Sequence, residues 1–414
     1  MKLNELKDKK ILILGFGREG RDTLKFLKKL LPEKKIGIAD KKFDKNYLKA
    51  LGDYDVVIKS PGIPFKILPK SSLKKVITQT DIFFDNCPGT IVGITGTKGK
   101  STTSALICAI LKNGSAFAKG FGGQGHIKAH LVGNIGKPVL SLLSSAKPND
   151  VYIYELSSHQ LYNLKRSPHV AVFLNIFREH LDYYRNFQEY AKAKANITLW
   201  QNKNDYLVFN RGDKLVSQFA KKSKANKIPV RGEYYDLDRN AAREIGKIFK
   251  IPKEKIEKTI KKFKPLKHRL ENIGTFKGIT FYNDALSTIP ETAIFAIDTL
   301  GNNVQTIMLG GYDRGIDFKK LAKKVLESKI ENLIFFPTTG EKIWRDIRKI
   351  GGGERFKTFF ADNMKDAVKI AYENTSKGKI CLLSCASTSF SIFKDYKEKG
   401  DLFKKFVKFF GHHN

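Results

Sequence analysis

Residues 95–102 read threonine, glycine, threonine, lysine, glycine, lysine, serine, threonine, a combination suited to holding phosphate. Glycines let backbone N–H groups approach phosphate oxygens, and a helix starting beside them adds positive potential. Lys100 can neutralise the β and γ phosphates of a nucleoside triphosphate, and Ser101 can hold Mg²⁺ through its hydroxyl. Gly93 and Gly99 do not match the strict G-x-x-x-x-G-K-[ST] spacing, so the run is a variant of that loop. A solvated Gly/Lys turn would need neither strand nor helix around it, whereas here an apolar run at 91–94 precedes and a helical pattern at 101–112 follows. ATP is the ligand this implies.

A phosphoryl-transfer site also needs carboxylates or imidazoles near the γ-phosphate to place metal ions. In parallel sheets such groups gather where strands end. The apolar run 151–154 delivers Glu155 and then Ser157, Ser158, His159 and Gln160; the run 170–174 delivers Asn175 and then Glu179, His180 and Asp182. A lone histidine or glutamate is usually a cap or a solvated side chain. Two such clusters downstream of a phosphate loop point instead to a metal site, with Glu155 and His180 as ligand candidates.

Nearer the start, Gly15, Phe16, Gly17, Arg18, Glu19 and Gly20 follow an apolar run at 11–14, and Asp40 lies 20 residues beyond Gly20. That is the form of a dinucleotide fingerprint. Taken alone it is equally compatible with NAD, with another nucleotide, or with a turn that merely lets a helix pack on a strand.

The elements that must position these groups alternate along the chain. Short apolar runs bounded by glycine, each followed by a helical pattern, stand at 11–14, 36–39 and 56–59, at 91–95, 151–156, 170–175 and 206–210, and at 279–283, 304–309, 333–336 and 380–384. Such alternation predicts parallel sheets in an α/β fold. The turn cluster 86–89 and the charged, proline-bearing stretch 261–267 read as linkers. They divide the 414 residues into three α/β domains, at 1–88, 89–264 and 265–414.

The composition, 41% hydrophobic and 11% aromatic, excludes wholesale disorder. A net charge of +35 would suit nucleic acid, but the lysines recur in every segment instead of clustering in one arm, so nucleic acid is not the expected partner. A substrate carrying several phosphates would also gain from a positive field. Cys87, Cys108, Cys381 and Cys385 form no C-x-x-C and sit on apolar stretches or beside a linker, as reduced thiols do. The first residues lack the apolar region of a signal peptide, and no run of about 18 apolar residues occurs. The expectation is a cytoplasmic protein without membrane insertion. Phe403, Phe406, Val407 and Phe410 recur at helical spacing among Lys404, Lys405 and Lys408; such a helix is expected to dock on its own domain rather than on a membrane surface.

Together these motifs resemble the Mur ligase family, the ATP-dependent amide-bond-forming enzymes of bacterial wall synthesis, whose hallmark is a T-G-T-x-G-K-[ST]-T loop. The run from Glu155 through Leu156, Ser157, Ser158, His159 and Gln160 to Leu161 is similar to the E-L-S-S-x-Q-L segment of the family's D-glutamate-adding branch. Gly133, Asn134, Ile135 and Gly136 resemble its G-N-I-G. The likeness continues through Asn175 with Glu179, His180, Leu181 and Asp182, then through Tyr190, Ala191, Lys192, Ala193 and Lys194. Further on it includes Lys267, His268, Arg269, Leu270 and Glu271, then Tyr282, Asn283 and Asp284, the glycine turn at 310–318, and a stretch at 384–393 similar to S-P-A-x-A-S-x-D-x-F. It covers nearly the whole chain.

The resemblance implies an α/β fold of three domains: Rossmann-like, P-loop ATPase-like and Rossmann-like in that order. It implies that ATP is held by Gly96, Thr97, Lys98, Gly99, Lys100, Ser101, Thr102, Arg269 and Asp284. UDP-N-acetylmuramoyl-L-alanine would meet Arg18, Glu19, Lys42, Gly62, Asn134 and His180, and D-glutamate would meet Arg314, Ser389, Tyr396 and Thr288. Two Mg²⁺ sites are implied at Ser101, Glu155, His180 and Lys194, the last carbamylated so that it carries CO₂ as an extra carboxylate. Taken by itself, Lys194 in a lysine-rich helix reads as solvent-facing. The implied catalytic group is Lys100, Glu155, His180 and Lys194, in a monomer that adds D-glutamate to UDP-N-acetylmuramoyl-L-alanine through an acyl phosphate. A sister ligase for another amino acid, a folylpolyglutamate-synthase-like ligase and a non-catalytic nucleotide binder are the alternatives. Two positions depart from the family pattern: its His-Asn pair is Tyr234-Tyr235, and a lysine near the amino-acid site is Leu286.

Overall fold

Four consecutive apolar residues, all buried, make β1 (Ile11–Leu14), because a parallel strand covered on both faces has no polar side to present. In the computed structural model, which describes residues 1–114, 128–134, 136–179, 183–232, 235–263 and 267–412, β1 is joined in parallel by β2 (Gly37–Ala39), β3 (Val56–Lys59) and β4 (Val76–Thr78) in the order β2-β1-β3-β4. A second parallel sheet contains β5 (Thr90–Thr95), β6 (Lys128–Gly133), β7 (Asp150–Glu155), β8 (Val170–Phe173), β9 (Tyr206–Asn210) and β10 (Asn226–Val230), ordered β10-β9-β8-β5-β7-β6. β5 lies between β7 and β8, where the strand order reverses, and open α/β sheets bind ligands at the carboxyl ends around such a point.

The third sheet contains β11 (Glu271–Phe276), β12 (Ile279–Asn283), β13 (Val304–Gly310), β14 (Asn332–Phe336), β15 (Lys357–Phe360) and β16 (Ile380–Leu383) in the order β11-β12-β16-β13-β14-β15. Only β11 is antiparallel to its neighbour. The strands that the apolar runs do not announce, β4, β6, β10, β11 and β15, are all edge strands. An edge tolerates the lysines of β6 and β15 and the proline of β10, so the apolar signal fades there.

The chain divides into two compact units, Met1–Phe263 and Lys264–Asn414. The first holds two sheets and the second one. In the first unit, Phe83 packs edge-on against Tyr152 and Tyr154 of β7, at ring centroids 5.1 and 5.8 Å away. In the second, the last helix (Tyr396–His412) buries Phe403 and Val407, and Phe403 meets Phe281 of β12 at 6.2 Å. Its apolar stripe is therefore spent on its own core. Among the described residues no helix is long and apolar enough to cross a membrane. All four cysteines are free thiols.

Candidate active site

β5 stays buried to Thr95, and the chain turns through residues 96–99 into the helix Lys100–Asn113. Gly99 caps that helix at φ +87°, where a side chain would be strained and its Cβ would run into the Asp238 carboxylate. The same carboxylate accepts from Thr103 Oγ1 at 2.8 Å and so anchors the first turn from beneath. From the β8 side Asn175 clamps the loop. Its carbonyl accepts from Thr97 N at 2.9 Å, its Oδ1 accepts from Lys98 N at 2.8 Å, and its Nδ2 donates to Lys98 O at 3.0 Å. Thr97 Oγ1 accepts from Phe177 N at 2.9 Å and lies 2.8 Å from the Tyr190 hydroxyl.

Three lysines gather on this loop. Lys100 Nζ donates to Gly96 O and Thr97 O at 2.8 and 2.9 Å, and Lys194 Nζ donates to the same Gly96 O at 2.8 Å. Lys98 pairs with Glu179 at 3.2 Å. Ser101, half-buried, and Thr102, buried, follow in the first helical turn. Gly96, Thr97, Lys98, Gly99, Lys100 and Lys194 thus meet at the carboxyl end of β5. Glu155 ends the adjacent β7, in register with Ile94, and is 3% exposed.

Lys194 lies on the helix Phe187–Leu199 and is only 2% exposed, so the solvent-facing appearance of its lysine-rich surroundings is misleading. Burial, reinforced by the Lys100 ammonium, holds it well below the usual lysine range. That shift favours the neutral amine over the ammonium. His180 lies outside the described residues, as does Tyr234. Among the described residues no group of three or more His, Cys, Asp or Glu side chains could hold a metal. The Ser101 hydroxyl and Glu155 carboxylate are nevertheless hard oxygen donors of the kind Mg²⁺ takes, and a carbamate on Lys194 would be another.

At the end of β1 the glycine turn is built differently. A Cβ on Gly20 would collide with Gly15 O, so helix and strand approach as closely as backbones can. Asp40, just past β2, accepts from Phe16 N at 2.6 Å and Lys42 N at 2.9 Å, bonds that hold its carboxyl below the usual range. Ser60 Oγ donates to Gly15 O at 2.7 Å, beside the exposed Gly62. Arg18 donates to Asn134 O at 3.3 Å and to Gly136 O, bringing two expected substrate residues together. Glu19 accepts from Gln160 Nε2 at 2.7 Å, and desolvation pushes it up to about 7 against the pull of that bond and of Lys59. Lys59, the buried last residue of β3, is pushed down to about 7 by desolvation. The sequence reading missed Lys59; its one signal is a lysine at the end of an otherwise apolar strand.

In the second unit, His268 and Leu270 adopt left-handed backbone at φ +65° and +43°, which turns Leu270 N onto Asp284 Oδ1 at 3.1 Å. Ser384 Oγ donates to Asp284 Oδ2 at 2.8 Å, and burial pushes this carboxyl up to about 6 against Ser384, Leu270 and the nearby Arg269. Arg269 therefore stands near enough to Asp284 to act on its charge. Tyr312 N donates to Thr388 O at 2.8 Å, which sets the glycine turn beside residues 388–390. There the Arg314 guanidinium stands 5.8 Å from the Phe390 ring centroid, and the Oγ of the buried Ser389 has no hydrogen-bond partner among the described residues. Thr288 lies in the loop before the helix Pro290–Leu300, and Tyr396 opens the last helix, its ring edge-on to His268 at 6.1 Å.

Comparison with known proteins places this geometry. A model of the Mur ligase middle domain matches residues 94–277. The UDP-N-acetylmuramoylalanine–D-glutamate ligase of Aquifex aeolicus is 31% identical over 433 residues, covering 96% of this chain and 98% of that protein. The enzyme of the same name from Acetivibrio thermocellus is 29% identical and is matched over 98% of both chains. Among solved structures, MurF ligase from Thermotoga maritima in complex with ADP superposes with a TM-score of 0.60 at 16% identity, over 99% of this chain and 98% of that one. FolC of E. coli in complex with ADP gives 0.55 at 13% identity, over 77% and 93%.

Proposed function

The chain belongs to the Mur ligase family, and we propose that it joins D-glutamate to UDP-N-acetylmuramoyl-L-alanine with cleavage of ATP, as a cytoplasmic monomer acting on small molecules in peptidoglycan precursor synthesis. The observation that carries this is the end-to-end likeness to relatives named for that reaction. Residues 1–88 bind the uridine diphosphate end, 89–264 bind ATP, and 265–414 bind the amino acid.

The loop amides and Lys100 take the triphosphate, Lys100 exchanging its carbonyl acceptors on Gly96 and Thr97 for phosphate oxygens. Residues Arg269 and Asp284 hold the nucleoside. The γ-phosphoryl group passes to the carboxylate of UDP-N-acetylmuramoyl-L-alanine, releasing ADP and leaving an acyl phosphate. The amine of D-glutamate adds to that carbonyl, and the tetrahedral intermediate collapses as phosphate departs and the amine proton is lost. Most of the acceleration comes from positioning and from charge already in place. Ser101, Glu155, His180 and a carbamylated Lys194 would hold two Mg²⁺ ions, which would supply charge neutralisation where triphosphate meets carboxylate. Arg314 holds the side-chain carboxylate of D-glutamate, which a guanidinium can grip with two parallel bonds, with Ser389, Thr288 and Tyr396 around it.

Phosphate release from ATP and Mg²⁺, with UDP-N-acetylmuramoyl-L-alanine present and D-glutamate, L-amino acids or no amino acid added, tests this reading. Release with D-glutamate alone is expected. Release with another amino acid would keep the mechanism and replace the substrate. Nucleotide binding without release in any mixture would leave a non-catalytic binder.

A further inference from the structure

Lys59 is 1% exposed, although it ends a strand beside a surface turn. Its Nζ donates to Ser60 O at 3.0 Å and Ile63 O at 2.7 Å and stands 4.4 Å from the centroid of the Phe65 ring. The charged groups that act on it are Glu19, from the glycine turn, and Asp81, from the helix Gln79–Asn86. An apolar side chain would fill this space without the cost of desolvating an amine, so the Nζ donors are there for the turn.

The turn it grips is held from every side. Ser60 N donates to Leu14 O at 2.8 Å, Ser60 Oγ to Gly15 O at 2.7 Å, and the Tyr183 hydroxyl to Pro61 O and Ile63 O at 2.9 and 3.0 Å. Glu19, whose charge acts on Lys59, is itself hydrogen-bonded outward. Gln160 donates to Glu19, and Gln160 Oε1 accepts from Ser157 N at 2.9 Å and Ser157 Oγ at 3.0 Å, two residues past Glu155. Lys59 therefore grips residues 60–63 by hydrogen bonds and acts electrostatically on Glu19, which Gln160 ties to the segment that follows β7.

We propose that Lys59 is a positioning residue for the nucleotide-sugar substrate: without touching it, Lys59 holds the Ser60–Ile63 turn and, through Glu19 and Gln160, aligns that turn with the end of β7. This rests on the function proposed above. Its effect falls on the UDP-linked substrate more than on ATP, because the bonds from Asn175, Lys100 and Lys194 that shape the phosphate loop are made by other residues than these.

Calorimetric titration of full-length wild type, Lys59→Met and Glu19→Gln, with UDP-N-acetylmuramoyl-L-alanine and separately with ADP, tests it alongside KM and kcat. Lys59→Met should weaken the nucleotide sugar by about 10-fold to 100-fold, as loss of one member of a buried charged network does, with ADP affinity within about twofold and KM moving more than kcat. Glu19→Gln, which keeps a hydrogen-bonding group of the same shape, should move the same constants in the same direction by less, and it decides the matter if the Lys59 variant does not fold. Unchanged affinity for the nucleotide sugar in a folded variant overturns the proposal alone, and so does an equal loss of both ligands, which marks a merely structural lysine. Wild type that binds ADP but not UDP-N-acetylmuramoyl-L-alanine overturns the proposed function and this role with it.

Discussion

Two glycine turns in the first unit begin alike and end in opposite electrostatics. Each follows a buried strand, β1 or β5, and leads into a helix, Arg18–Leu30 or Lys100–Asn113. At the first, a carboxylate stands on the turn: Asp40 already accepts from Phe16 N and Lys42 N, while the lysine, Lys59, is buried behind and faces backbone carbonyls. At the second, the cations stand on the loop, with Lys100 and Lys194 both on Gly96 O, and the carboxylate of Asp238 lies beneath. A turn that supplies backbone N–H groups to its own aspartate is not built to concentrate negative charge, whereas one crowded with lysines is. The glycine pattern fixes the backbone; the side chains around it decide how many phosphates it suits.

The largest expected effect comes from removing a cation at the second turn. Lys100→Ala should cut ATP turnover by at least about 1,000-fold, the scale of losing a principal electrostatic contact to the transferring group, while calorimetry finds UDP-N-acetylmuramoyl-L-alanine bound as in wild type. Equal loss of the nucleotide sugar would erase the separation between the two turns. Lys194→Ala should cost about 100-fold in turnover and recover in part with short carboxylic acids, which refill the missing carboxylate. Wild-type turnover in that variant without added acid would remove the carbamate from the mechanism.

The smallest effect belongs to the first turn. Asp40 has its pKa lowered below the ordinary 3.8 by hydrogen bonds from Phe16 N and Lys42 N. A depressed carboxylate contributes stability that is present above its unfolded value and lost as pH falls through the folded one. Asp40→Asn should therefore cost about 1 kcal/mol at pH 7, discounted for exposure, with the gap to wild type closing below 3.8. Urea denaturation at pH 7 and about pH 3 reads both values.

The phosphate loop could be read from sequence because its chemistry lies in consecutive residues bracketed by a strand and a helix. Glu155 was legible as an acid placed just past an apolar run, and Asp284 through the resemblance of its segment to the family's. Other parts depend on which distant segment arrives. Asp238 beneath Gly99, Gln160 on Glu19 and Asn175 beside Lys98 are long-range pairings, and no local pattern specifies them. Lys194 illustrates the difficulty most plainly: its neighbours suggest water, yet the helix turns it inward onto Gly96 O. Five of the six edge strands escaped for a different reason, since a strand paired on one side needs less apolar surface and so announces itself less.

Asn175 gives the loop a mechanical property as well as a shape. By accepting from Lys98 N and donating to Lys98 O, its side-chain amide imitates a neighbouring peptide unit and adds a rung to the β5–β8 ladder beyond the last backbone pair. The loop is thereby tied to the sheet that carries it. Displacing the phosphate-facing backbone would therefore break these bonds or shift β5 against β8.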